Sequence, residues 1–85
     1  MVNKDKPQLT LGQPAIYQIK VPGILDETLS DWITGMTLTV GSDENGMPIT
    51  TLEVSADQAA LHGLLRRLYS LGSPLISVIC VEIYP

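Results

Sequence analysis

The side chains best suited to acid–base, nucleophilic or metal chemistry are one histidine, one cysteine and two small groups of carboxylates. His62 stands four residues before Arg66, which puts the two on one face of a helix, and an imidazole is the usual acid or base near neutral pH. A catalytic histidine needs a nucleophile to serve and a carboxylate to orient it, and neither stands at a recognisable spacing. His62 is therefore expected to be a solvated surface residue. Cys80 lies in an apolar run with no cation beside it to hold a thiolate, so it reads as a small hydrophobe rather than a reactive thiol. Asp26, Glu27 and Asp31 form one acidic group, and Asp43 with Glu44 forms another. Neither has the spacing of a calcium loop, so both read as solvated charge. Gly23, Gly41 and Gly46 make neither a dinucleotide fingerprint nor a P-loop and are expected in turns. Tyr17 and Trp32 could line a pocket but stand at core spacing. No catalytic, cofactor-binding or metal-binding residue is expected, and no cofactor.

The elements that carry these residues can be read in more detail. Ser55 with Gln58 three positions on fits a capping box, and Asp57 is a second candidate N-cap that places negative charge at the positive end of the helix dipole. From there Leu61, Leu64, Leu65, Leu68 and Leu71 fall on one arc, with His62, Gly63, Arg66, Arg67 and Ser70 opposite. Gly72 suits a left-handed C′ position and Pro74 cannot continue a helix, so the spacing predicts an amphipathic helix over Ser55 to Leu71. The run that follows is apolar on both alternating faces. Leu75, Ile79, Val81 and Ile83 lie on one side and Ile76, Val78, Cys80 and Tyr84 on the other, which predicts a strand with something packed on each side.

Upstream, Tyr17, Ile19 and Val21 alternate with Gln18 and Lys20, predicting a strand with one buried face that ends at Pro22 and Gly23. Leu25, Leu29, Trp32 and Ile33 recur at helical spacing between Asp26 as N-cap and Gly35 as stop, predicting a first helix of two to three turns. Met36, Leu38 and Val40 alternate with Thr37 and Thr39, as Leu52 and Val54 do with Thr51 and Glu53, predicting a hairpin. Its loop runs from Gly41 to Pro48, with Asn45-Gly46 as the turn dipeptide and Pro48 arguing for more than two loop residues.

The resulting order is strand, helix, strand, strand, helix, strand. That is the ferredoxin-like βαββαβ pattern, an α+β fold with a four-stranded antiparallel sheet and two helices on one face. In such a sheet Tyr17, Ile19, Val21, Met36, Leu38, Val40, Leu52, Val54, Leu75, Ile79 and Val81 would face the helices. Ile16, Gln18, Lys20, Thr37, Thr39, Thr51, Glu53, Ile76, Val78 and Cys80 would form the open side. Residues 1–14, rich in polar residues and proline, read as a flexible or loosely docked arm that Leu9 and Leu11 could pin, and residues 15–85 as one domain.

Two stretches carry a resemblance. The first is Asp57-Gln58-Ala59-Ala60-Leu61-His62-Gly63-Leu64-Leu65, followed by Leu71-Gly72-Ser73-Pro74-Leu75-Ile76-Ser77-Val78. It is similar to the C-terminal half of a family of short uncharacterised bacterial proteins. The second, Leu25-Asp26 and Asp31-Trp32 with Gly35, resembles that family's first half. The likeness covers most of residues 17–79 and implies no activity and no catalytic residue. The chain departs from the family's pattern at Ile33, where an aromatic residue is common, and in its longer central hairpin.

Composition narrows the function classes. Eighty-five residues suffice for one small domain, and a net charge of −4 repels phosphate backbones, so no nucleic-acid partner is expected. A single cysteine excludes an intramolecular disulfide, and no stretch reads as a signal peptide or membrane span, which points to a cytoplasmic protein with no membrane partner. Two functional readings follow. The favoured one is a homodimeric interaction or regulatory module, binding a protein or small ligand and no enzyme. It would use the open sheet face or the last edge strand, with Ile76, Val78, Cys80 and Ile16 as candidate interface residues. The alternative is a small enzyme of the dimeric α/β-barrel type acting on a small molecule, which rests on fold analogy.

Overall fold

The computed structural model describes residues 8–25 and 35–84. Their elements run β1 (Ala15–Pro22), β2 (Thr37–Ser42), β3 (Pro48–Ala56), α1 (Gln58–Ser70) and β4 (Ser77–Ile83). The four strands form one antiparallel sheet in the order β2-β3-β1-β4. The antiparallel four-stranded sheet is thus as expected, but the two-helix βαββαβ ferredoxin-like fold is not. Among the described residues there is one helix, and the element order is β-β-β-α-β. The first helix expected from Leu25, Leu29, Trp32 and Ile33 is not among the described elements: its N-cap Asp26 and its residues Leu29, Trp32 and Ile33 lie outside the described residues, as do Glu27 and Asp31.

Strand β1 is the middle of the molecule. Ala15, Tyr17, Ile19 and Val21 are buried, while Ile16, Gln18 and Lys20 between them are half-buried, the period of two that the sequence shows. It pairs with β3 over its whole length, from Ala15 opposite Ala56 to Pro22 opposite Ile49. On the buried side Leu52 and Val54 of β3 join Ile19 and Tyr17, and Leu61, Leu64 and Leu68 of α1 close over them. Gln58 anchors the helix start by donating from its side-chain amide to the Tyr17 hydroxyl at 2.6 Å.

The ends of α1 show why it lies where the sequence puts it. Asp57 is the N-cap, its carboxylate accepting from the Ala60 N–H at 2.9 Å, so of the two candidate caps the aspartate serves. At the other end the Gly72 N–H donates to the Tyr69 carbonyl and the Ser73 N–H to the Leu68 carbonyl, with Gly72 at φ 76°. That is a Schellman closure, which needs the left-handed conformation glycine adopts without steric cost. Leu65 is only partly buried and Leu71, already the C-cap, is exposed, so the core stripe is narrower than the leucine count implies.

The hairpin between β2 and β3 turns through Asp43-Glu44-Asn45-Gly46-Met47, with Ser42 opposite Pro48. Asp43 organises it: its carboxylate accepts from the N–H groups of Asn45 and Met47 at 2.8 and 2.9 Å. Thr50, fully buried, fixes the exit of β1 by donating to the Gly23 carbonyl at 2.7 Å and accepting from the Leu25 N–H at 3.2 Å. Before β1, the chain from residue 8 is held by main-chain contacts more than by Leu9 and Leu11, which are exposed. The Leu11 carbonyl accepts from Gln58 N–H, and the Pro14 carbonyl from Tyr84 N–H. The Gln13 side-chain amide donates to the Tyr84 carbonyl.

Candidate functional site

The feature that sets this molecule apart is β4. It lies at the margin of the sheet, with β1 on one side and, among the described residues, no strand on the other. Its register reverses the expected sidedness. Val78 is opposite Ile19 and Cys80 opposite Tyr17, and cross-strand partners share a face, so Val78 and Cys80 lie on the side of the sheet that carries α1. Ile79 is opposite Gln18 and therefore on the open side. Beyond Cys80 the register shifts: Ile16 is opposite Glu82, and Val81 is the extra residue of a bulge. Simple alternation from Leu75 assigns Ile79 and Val81 to the helix and Val78 and Cys80 to the open face because it cannot see where a strand starts or bulges.

The candidate interface residues Ile76, Val78, Cys80 and Ile16 are consequently not one row. Val78 and Cys80 are on the helix side, Ile16 is on the open side and half-buried between Ser55 and Glu82, and Ile76 precedes the strand, its N–H donating to the Lys20 carbonyl at 2.7 Å. What unites most of them is exposure. Leu75, Ile76, Val78, Ile79 and Val81 are each between 39% and 54% exposed, although the sequence calls for cover on both faces. On the helix side α1, the one helix among the described residues, packs nearest to β3, on the far side of β1 from β4. On the open side there is no second layer among the described residues. That open side is mixed: Gln18, Lys20, Thr51, Glu53 and Ser55 stand beside the half-buried Ile16 and Ile49.

The remaining chemical candidates are dispersed. His62 lies on the outer face of α1 with Gln58, Ala59, Gly63 and Arg66, which with Leu11 line a shallow concavity of about 420 Å³. Cys80 is exposed and unbonded to another sulfur. The carboxylate of Asp43 is engaged by its own turn. Among the described residues no group of three or more His, Cys, Asp or Glu side chains converges as metal ligands would, and no helix is long and apolar enough to cross a membrane. Sequence reasoning overlooked Ile79 and Val81 as surface residues. The signal was present, since a run apolar on both faces is as compatible with an uncovered edge as with a central strand.

The profile of a family described as a domain of unknown function, DUF8691, matches residues 16–79. The chain belongs to that family. The DUF8691 match therefore begins in β1, takes in the hairpin and α1, and reaches Ile79 in the middle of β4, so the apolar approach to the sheet margin lies within the family's domain. No curated protein and no solved structure matches the chain.

Proposed function

We propose that this DUF8691 protein is a homodimeric interaction module whose contact surface is the β4 margin of its sheet. The observation that carries the reading is a seven-residue strand with one charged residue, Glu82, exposed on both faces and at its outer edge. An apolar edge of this kind is the hazard that natural sheets blunt with charge, proline or a covering element. A second copy of the same surface is the simplest cover, because a two-fold operation supplies a self-complementary partner without a second gene product. The charged Lys20 and Glu53 on the open face speak against sheet-on-sheet packing there and favour the margin. A cytoplasmic setting agrees with an exposed unpaired cysteine, which reducing conditions keep as a thiol. Small-ligand regulation would then act on the dimer.

Light scattering at micromolar concentration tests the reading. The wild-type chain should have the mass of two copies, and Ile79→Lys, placed on the polar side of an exposed strand, should keep its fold by circular dichroism while falling to one copy. A wild-type mass of one chain that does not change on concentration would contradict it.

A further inference from the structure

We infer that two copies pair β4 with β4 antiparallel across a two-fold axis, joining two four-stranded sheets into one continuous eight-stranded sheet with both α1 helices on the same side; this rests on the dimer reading above. Leu75, Ile76, Val78, Ile79 and Val81, each about half exposed, present on the order of 400 Å² of apolar area. That is about half of the ~800 Å² each partner gives to a standard interface. Side chains alone therefore fall short. The balance is available from the outer backbone edge of β4 and from exposed Leu71 in the approach to it, and edge-to-edge pairing is the arrangement that uses that backbone.

Symmetry then restricts the register. Antiparallel partners share a face, and a two-fold axis perpendicular to the sheet keeps each residue on its own face, so the axis must pass beside a residue rather than between two. The regular part of β4 is Ser77 to Cys80, since Val81 is the bulge. Centring on Ile79 sets Ile79 against its own copy and Val78 against Cys80 of the partner subunit, which lies on the same face as Val78. All central pairs are then apolar. The two Glu82 carboxylates, three residues either side of the axis, are kept roughly 20 Å apart at 3.3 Å per residue, so no like charges oppose.

This geometry places Cys80 one residue from the axis, where diagonal neighbours across an antiparallel pair are about 7–8 Å apart and their Cβ atoms somewhat closer. Cys80 is the only cysteine in the chain, so the native protein carries its own reporter. Treating the wild-type protein at low micromolar concentration with a short flexible bismaleimide, alongside light scattering on the same sample, should give predominantly covalent dimer. Cys80→Ser should give none, and folded Ile79→Lys only a trace. A dimer by light scattering that does not cross-link would overturn the β4 pairing while leaving the homodimer reading in place. A monomer by light scattering would overturn both.

Discussion

The sheet has two margins, and they are built from different residues. β2 at one end reads Thr-Leu-Thr-Val-Gly-Ser, and β4 at the other reads Ser-Val-Ile-Cys-Val-Glu-Ile. Among the described strands both pair on one side only, and both are largely exposed, so position and exposure do not separate them. Composition does. β2 offers water two threonines, a glycine and a serine, with Leu38 partly buried and Val40 the one large apolar side chain that is exposed. β4 offers Val78, Ile79 and Val81, with Leu75 and Ile76 just ahead of it. One chain thus manages the same topological hazard at one end with hydroxyl-bearing residues and leaves it standing at the other. On the proposed reading the uncovered apolar edge is half of a contact rather than a defect of packing.

The largest effect is expected at Leu68, fully buried where α1 closes over β1 and β3. Leu68→Ala should cost about 2–5 kcal/mol in urea denaturation, a large share of a small domain's stability. A loss below about 1 kcal/mol would mean that α1 does not seal the centre, and that the margins differ for another reason. Next come paired substitutions at the two margins. Ile79→Lys should raise the dimer dissociation constant at least about tenfold, whereas Val40→Lys, at the β2 margin, should leave association unchanged and shift stability by less than about 0.5 kcal/mol. Equal effects on association, measured by sedimentation equilibrium, would erase the distinction. The smallest effect is expected at His62, on the outer face of α1 away from both margins. His62→Ala should leave melting temperature and association within error, and a lost association with an intact fold would move attention to the helix face.

Much of the fold is legible in the sequence because local chemistry agrees with tertiary placement. Asp57, the leucines at 61, 64 and 68, Gly72 and the alternation in Tyr17 to Val21 each point to the element in which they are found. The hairpin loop follows from Asn45-Gly46 and Pro48, although the anchoring role of Asp43 and the buried hydroxyl of Thr50 depend on partners far along the chain or on the exact turn. β4 shows the limit of periodicity. Its apolar run correctly marks a strand, but the side each residue occupies depends on its register against β1 and on the bulge at Val81, which no local pattern encodes. Whether an apolar strand lies in the middle of a sheet or at its edge is likewise a property of topology.

Backbone hydrogen exchange at each margin, followed as a function of protein concentration, tests the central claim most directly, because it reads the unpaired edge groups themselves. If β4 is the contact, alternate amides between Ser77 and Ile83 should gain protection as concentration rises through the dimer dissociation constant, while those of Thr37 to Ser42 stay at their dilute rates. Exchange at β4 that is independent of concentration in a sample shown to be dimeric, or protection that grows equally at β2, would contradict the account.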